Sequence, residues 1–148
     1  MILKKVRDGV YRGSRLETGN DFKRIKKLGI KYVLNLESNT AVTKVEFKKM
    51  HNIGIEEILL PMSGILPPII SSLELSAYYI KCYQPILVYC KHGVDRTGSV
   101  ILADRVTNCR WDFNRAYQEM LDEGHHVFWL RWWKRRLRQY ARLYGKGG

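Results

Sequence analysis

Residues 86–100 read ILVYCKHGVDRTGSV and divide into an apolar run, a short loop and the start of a helical pattern. The run Pro85–Tyr89 is short, apolar and continuous, which is typical of a central parallel strand buried on both faces. A loop with one glycine follows Cys90, and we expect a helix to begin after Arg96 and to cover Thr97 to about Thr107. This order aims backbone N–H groups and a helix N-terminus at one point, which suits a tetrahedral anion.

The side chains of this loop indicate chemistry on phosphate. The positive field favours a thiolate at Cys90, and the planar fork of Arg96 can grip two phosphate oxygens. The Thr97 hydroxyl can donate to the Cys90 sulfur and steady it as a leaving group, while Gly93 allows a tight backbone curl. We therefore predict catalytic roles for Cys90, Arg96 and Thr97, and phosphate binding by Lys91, His92, Gly93, Val94, Asp95 and Arg96.

The segments around the loop alternate between helical and strand patterns. We predict helices at 21–28, 41–50, 68–82, 112–123 and 126–144, strands at 30–36 and 55–60, and an irregular loop at 61–68. This alternation implies an α/β fold with a central, mostly parallel sheet flanked by helices. With no repeat, low-complexity segment or Pro/Gly/Ser-rich linker, residues 1–148 are expected to form a single domain.

Length and composition exclude several classes of protein. A chain of 148 residues with 45% apolar residues has the make-up of one ordinary soluble domain. Its opening residues hold no apolar stretch long enough for a signal peptide, and nowhere is an apolar run long enough to span a membrane, so we expect neither feature. Its three cysteines lack a disulfide framework, which favours a reducing, cytoplasmic setting. We take Cys82 and Cys109 as core residues; a regulatory disulfide with Cys90 needs a close approach that the sequence does not show.

The charge is strongly basic and unevenly spread. Lysine and arginine number 26 against 14 acidic residues, and residues 125–148 hold seven basic and no acidic residues. Such a chain attracts phosphoproteins, anionic membrane surfaces or nucleic acid. The expected helix at 126–145 repeats apolar residues at helical spacing, namely Trp129, Trp133, Leu137, Tyr140 and Tyr144. The stripe is typical either of membrane or RNA binding or, as we favour, of packing on the core with the arginines solvated.

The loop resembles the signature of cysteine-dependent protein tyrosine and dual-specificity phosphatases: Cys90, five residues, Arg96, then Thr97 and Gly98. The segments 10-VYRGSRL-16, 21-DFKRIKKLGIKYVLNL-36 and 116-AYQEMLDEGHH-126 are also similar to parts of small dual-specificity phosphatases. The resemblance implies a mechanism without metal or cofactor. Cys90 attacks phosphorus in line, and water hydrolyses the thiophosphate. The loop N–H groups and Arg96 stabilise the equatorial oxygens.

Two departures from the family pattern concern the acid and the residue before the nucleophile. Tyr89 stands where many members have His. The family usually takes its general acid, an Asp, from an upstream loop, but the loop 61–68 has no carboxylate. Glu74 is expected to be a solvated residue on a helix. Our candidate acid is Asp95, because the chain resembles myotubularin and Sac-type lipid phosphatases in having Asp there. The alternative is that Asp95 pairs with Arg96 or another base and shapes the loop.

Three functions stay open from the sequence. The first is a phosphatase of phosphotyrosine, and of phosphoserine or phosphothreonine, in proteins. The second is a phosphatase of phosphoinositides, inositol polyphosphates or RNA 5′-phosphates, since Lys91 directly after the nucleophile resembles loops that act on phosphoinositides. The third is an inactive phosphate-binding module, because the upstream loop lacks an acid. Arg12 lies in the segment 10-VYRGSRL-16, which resembles the opening strand of the family. It can reach the pocket from there, although we expect it to be structural.

Overall fold

The computed structural model describes residues 1–38, 40–125 and 130–145. The strands are β1 (Leu3–Arg7), β2 (Val10–Gly13), β3 (Tyr32–Asn35), β4 (Glu56–Leu59) and β5 (Ile86–Tyr89). The helices are α1 (Gly19–Lys27), α2 (Thr40–Asn52), α3 (Ile70–Cys82), α4 (Asp95–Thr107), α5 (Phe113–Asp122) and α6 (Leu130–Tyr144).

The five strands form one sheet in the order β1-β2-β5-β3-β4. β2, β5, β3 and β4 are parallel, and β1 pairs antiparallel with β2. The predicted fold class is therefore confirmed. The sequence analysis missed β1, whose two lysines weaken the strand pattern, although Asp8-Gly9 is a strong hairpin-turn signal and Gly9 has a φ of 81°.

Helices cover both faces of the sheet. On one face, α1 and α2 pack on β3 and β5 through an apolar cluster that includes Phe22, Ile25, Val33, Met50, Leu87 and Tyr89. On the other, α3 and α4 pack through a cluster that includes Leu34, Ile80, Ile86, Val88, Val100 and Ile101. Beyond α4, α5 and α6 share a third cluster with α3 and α4. Because β5 is central and covered on both faces, all four of its residues are buried.

Local sequence accounts for several helix ends. Thr18 caps α1 in a capping box with Asp21, and the helix is followed by Gly29 at a φ of 79°. Asp112 caps α5 by accepting from the backbone N–H of Arg115 at 2.9 Å. The prediction that α4 begins after Arg96 was wrong, since α4 begins at Asp95. A carboxylate is favourable in the first turn of a helix, where the dipole is positive.

The aromatic stripe of α6 packs inside the protein. Trp133, Leu137 and Tyr140 are buried, which confirms core packing for these residues. Residues 126–129 of the predicted helix, with Trp129, lie outside the described residues. The neighbouring Trp132 is 69% exposed, because it points away from the core. None of the helices within the described ranges is long and apolar enough to cross a membrane.

Candidate active site

The sulfur of Cys90 lies directly after the last residue of β5, at the carboxyl edge of the parallel strands, where α/β sheets place their ligands. Cys90 is 3% exposed. The buried Thr97, in the first turn of α4, donates from Oγ1 to Cys90 Sγ at 3.1 Å. The hydroxyl therefore lies where the sequence analysis expects it, in a position to stabilise negative charge on the sulfur.

Two hydrogen-bond donors in and just after β2 bind backbone carbonyls of the loop that follows Cys90. The backbone N–H of Arg15 donates to the carbonyl of Lys91 at 3.2 Å, and Arg12 Nη2 donates to the carbonyl of Gly93 at 3.2 Å. In a trans peptide the C=O and N–H point in opposite directions. The N–H groups of His92 and Val94 therefore point away from these donors, as an anion-binding loop requires.

Arg12 has the structural position that the sequence analysis favoured. It is 5% exposed, and burial lowers the pKa of its guanidinium below the usual arginine value. The nearby carboxylates of Glu123 and Glu119 oppose this shift by favouring the charged guanidinium. Its charge therefore adds positive potential beneath the loop while its hydrogen bond fixes a loop carbonyl.

Glycine is required at position 93. Gly93 has a φ of 71°, a conformation that residues with side chains rarely adopt. A Cβ built on it would lie 2.7 Å from both the carbonyl carbon and oxygen of Gly13, and 2.9 Å from the Ser14 backbone nitrogen. The loop therefore packs against the end of β2 at a distance that excludes any side chain.

The guanidinium of Arg96 reaches the same edge of the sheet. Its Nη1 donates to the carbonyls of Leu36 at 3.4 Å and Met62 at 3.3 Å, just beyond β3 and β4. A Cβ on Gly64 would lie 3.7 Å from Arg96 Cζ, so the loop at 61–68 lies beside the guanidinium. This loop brings backbone and no carboxylate to the site. The anion-gripping role of Arg96 stays a prediction.

Of the predicted phosphate-loop side chains, Lys91 and His92 are exposed and Val94 is half-buried. Lys91 and His92 therefore lie on the surface of the loop, where they meet solvent or an arriving substrate.

Asp95 contacts a histidine that the sequence analysis did not single out. Its Oδ1 lies 2.6 Å from Nδ1 of His125, the residue after the turn that ends α5. His125 is buried at 5% exposure. The contact agrees with the alternative in which Asp95 pairs with a base, and it leaves the predicted acid role a prediction. Thirty positions separate the two residues, so no local spacing signals the pair.

A buried polar chain lies behind the loop. Arg15 pairs with the buried Glu37, whose backbone N–H donates to Asn35 Oδ1 at 2.9 Å. Asn35 Nδ2 and the Tyr89 hydroxyl donate to Glu57 Oε1 at 2.7 and 3.3 Å. Burial raises the pKa of the Glu57 carboxyl above the usual glutamate value. Tyr89, the residue directly before Cys90, thus belongs to this network of buried polar groups.

The three cysteines are free thiols. The prediction that Cys82 is a core residue was wrong, because it is the last residue of α3 and its side chain is exposed. Cys109 is half-buried beside Asp104, with Sγ 4.0 Å from Oδ2. Across the described ranges, no group of three or more His, Cys, Asp or Glu side chains is placed to hold a metal ion.

The fold and the strand–loop–helix site define the class of small cysteine-dependent tyrosine and dual-specificity phosphatases. Within this class, the sequence model described as "Polymorphic toxin system, DSP-PTPase phosphatase" matches residues 8–108, and the chain belongs to that family. A comparison with curated protein sequences gives no significant match.

Solved structures show the same fold at low sequence identity. P. aeruginosa TpbA in complex with phosphotyrosine has a TM-score of 0.77 and 18% identity, covering 95% of this chain and 88% of its own. The catalytic domain of the PP-IP phosphatase SIW14 from S. cerevisiae, in complex with citrate, has a TM-score of 0.75 and 20% identity, covering 96% and 84%. PTPMT1 in complex with PI(5)P has a TM-score of 0.75 and 14% identity, covering 95% of both chains.

Proposed function

We propose that the chain hydrolyses phosphate monoesters through a cysteinyl-phosphate intermediate on Cys90, with phosphotyrosine in proteins as the favoured substrate and phosphoserine or phosphothreonine as slower ones. The observation that carries the proposal is the 3.1 Å hydrogen bond from Thr97 Oγ1 to Cys90 Sγ. In the loop that follows Cys90, the carbonyls of Lys91 and Gly93 accept hydrogen bonds from the β2 segment, which leaves the next N–H groups facing the other way. A buried structural thiol has no need of such a donor.

The proposed reaction has two steps. In the first, the Cys90 thiolate attacks phosphorus in line and the bond to the leaving oxygen breaks. The loop N–H groups and the Arg96 guanidinium stabilise the charge on the three equatorial oxygens. In the second, water attacks phosphorus, the S–P bond breaks, and Thr97 stabilises the departing thiolate.

The proposed preference for aryl phosphates follows from the lack of a general acid in the upstream loop. A serine alkoxide needs a proton as it leaves, whereas a phenolate leaves readily without a strong acid. The loop at 61–68 supplies no carboxylate, so Asp95 in the first turn of α4 is the proposed donor. This arrangement favours aryl over alkyl phosphates.

A second candidate function is hydrolysis of polyanionic substrates such as phosphoinositides or inositol polyphosphates. It is favoured by the exposed Lys91 and by the exposed Arg131 and Arg135 of α6. SIW14 and PTPMT1 share the fold, and by their descriptions one is a PP-IP phosphatase and the other binds PI(5)P. A strong basic field raises the local concentration of highly charged substrates more than that of singly phosphorylated peptides.

The test is a substrate panel run on the wild type and on Cys90→Ser, with Cys82→Ser as the matched control. We expect turnover of aryl phosphate and phosphotyrosine peptide, loss of turnover in Cys90→Ser, and no change in Cys82→Ser, whose thiol is exposed on α3. Faster release of phosphate from inositol lipids than from phosphotyrosine peptide would replace the protein substrate with the second candidate. Absence of turnover on every substrate would leave a phosphate-binding module.

The acid is tested separately with Asp95→Asn. We expect hydrolysis of an alkyl phosphate to fall about 100-fold or more, the usual worth of a general acid, and hydrolysis of an aryl phosphate to fall much less. Equal slowing of both substrates would contradict the acid role of Asp95.

A further inference from the structure

The contact between Asp95 and His125 joins the start of α4 to the turn after α5. Gly124, at a φ of 96°, ends α5, and the backbone N–H of His125 returns to the carbonyl of Met120 at 3.2 Å. These features fix the backbone of His125 while its Nδ1 lies 2.6 Å from Asp95 Oδ1. The histidine therefore reaches Asp95 from the hydrogen-bonded turn that ends α5.

Aromatic rings hold the imidazole in place. The Tyr117 ring lies edge-on with its centroid 6.1 Å from that of His125, and the Trp133 ring is tilted at 5.9 Å. The His125 side chain is 1% exposed. The imidazole is therefore packed between two aromatic rings with its Nδ1 facing Asp95.

The other ring nitrogen shows where the proton lies. His125 Nε2 is buried and has no hydrogen-bond partner in the part of the chain that the structure describes. A proton on Nε2 would bury an N–H donor without an acceptor, which is costly and rare in proteins. A neutral ring with its proton on Nδ1 leaves only a lone pair unpaired, so Nδ1–H donates to Asp95 Oδ1.

We propose that His125 is a positioning residue that orients the Asp95 carboxyl for proton transfer, an inference that rests on the proposed acid role of Asp95. The Nδ1–H bond holds Oδ1 and so fixes the orientation of the carboxyl group that carries the transferable proton. In this role His125 keeps its own proton throughout and acts only through the Asp95 carboxyl.

The proton balance closes over the two steps. As the S–P bond forms and the P–O bond breaks, the proton on the Asp95 carboxyl passes to the leaving oxygen. As water attacks phosphorus and the S–P bond breaks, the Asp95 carboxylate takes a proton from that water and Cys90 leaves as a thiolate. No co-reactant other than water is needed.

The test compares alkyl and aryl phosphates across variants at one position. In His125→Leu, we expect alkyl phosphate hydrolysis to fall about 10- to 100-fold, as when a reacting group is misplaced, with much less effect on aryl phosphate. In His125→Asn, whose amide N–H lies near the Nδ1 position, we expect most of the alkyl activity to return. In His125→Gln, whose amide reaches the Nε2 position, we expect no such rescue.

Controls separate positioning from folding. His51→Leu removes an exposed histidine at the end of α2 and is expected to change neither substrate. Adding His125→Leu to Asp95→Asn is expected to cause no further loss on alkyl phosphate, because both act through one carboxyl. The rate of Cys90 alkylation is expected to stay at the wild-type value in His125→Asn.

Several outcomes would overturn the inference. Equal slowing of alkyl and aryl phosphate in His125→Leu shows a structural role only. If that variant does not fold, equal alkyl activity in His125→Asn and His125→Gln overturns the inference instead. If Asp95→Asn slows alkyl phosphate more than aryl phosphate while the His125 variants slow both equally, the positioning role is wrong and the proposed function stands. If the wild type has no turnover, or if Asp95→Asn slows alkyl and aryl phosphate equally, the proposed function itself has failed.

Discussion

At the scale of single residues, the site depends on contacts that are short, buried and few. The Thr97 hydroxyl is fully buried and donates to one sulfur, and Gly93 has no space for a Cβ. Because charge-assisted hydrogen bonds are stronger than neutral ones, the Thr97 contact is worth most when Cys90 carries a negative charge. In the proposed mechanism, that condition holds before attack and again as the intermediate breaks down.

Replacing Thr97 by Val tests the contribution of the hydroxyl to the breakdown of the intermediate. The variant keeps the shape of the side chain and loses the donor, so we expect kcat to fall about 10- to 100-fold, equivalent to one hydrogen bond to a charged group, with little change in KM. Rapid-mixing kinetics with an aryl phosphate should then show a burst of released phenol. Ser76→Ala, which removes a buried hydroxyl in α3, is the control, and a Thr97→Val variant with wild-type kcat would contradict the role.

Glu57 gives a prediction on stability and pH. Its Oε2 is buried without a hydrogen-bond partner among the described residues, and burial raises the pKa of the carboxyl. A raised pKa in the folded state favours the protonated form, so this group's contribution is fully present at low pH and is lost as pH rises through the folded-state pKa. Glu57→Gln cannot ionise. We expect it to raise the free energy of unfolding at neutral pH by about 1 kcal/mol.

Urea denaturation at about pH 4 and about pH 8, on either side of the titration, checks this expectation. The gain should be present at the higher pH and small at the lower one. The exposed neighbour Glu56, changed to Gln, is the control and should shift neither value. A loss of stability in Glu57→Gln at the higher pH would show that the ionised carboxylate is needed.

At the scale of elements, α6 supports the loop beside the phosphate site. Trp133 Nε1 donates to the carbonyl of Ile65 at 3.2 Å, and Arg136 Nη1 donates to the carbonyl of Pro68 at 3.1 Å. That loop lies against Arg96 through Gly64. The terminal helix, distant in sequence from the catalytic loop, therefore fixes one wall of the site.

The variant Trp133→Phe tests this support. It removes the donor and part of a buried ring, so we expect the free energy of unfolding to fall by about 1–3 kcal/mol. Amide exchange in residues 63–66 should become faster than in the wild type. Trp132→Phe, which changes the exposed neighbour on the same helix, is the matched control. Unchanged exchange in Trp133→Phe would mean that the loop holds its position without α6.

At the scale of the whole molecule, the net charge of +12 acts on substrates before they bind. Exposed Arg131 and Arg135 lie on the half of α6 that meets the loop beside the site. Charges of one sign near a pocket raise the encounter rate with anions, and salt screens the effect.

The expected result is a salt dependence that grows with substrate charge. Between about 0.05 and 0.5 M NaCl, kcat/KM for an inositol polyphosphate should fall about 10-fold, and that for a small aryl phosphate less. Changing Arg131 and Arg135 to Gln should reduce this slope. The control changes Lys81 and Arg110 to Gln, near the ends of α3 and α4 away from the catalytic loop. Equal slopes in both variants would contradict local steering.

The sequence alone predicted the class of fold and the centre of the site, because both depend on neighbours in the chain. An apolar strand, a one-glycine loop and a helix N-terminus stand within fifteen residues, so the Cys90–Thr97 contact follows from backbone geometry. The alternation of strands and helices implied the parallel sheet in the same way. The ends of α1 and α5 follow from capping residues and glycines.

Tertiary structure alone decided what depends on distant segments. The pairing of Asp95 with His125, the Arg12 support of Gly93 and the contact of Trp133 with the loop at 61–68 each join residues thirty or more positions apart. A histidine or tryptophan has the same local pattern whether it packs in the core or orients an acid. Only the packing of α5 and α6 against α4 brings His125 and Trp133 to the site. The spacing of residues along the chain does not predict that packing.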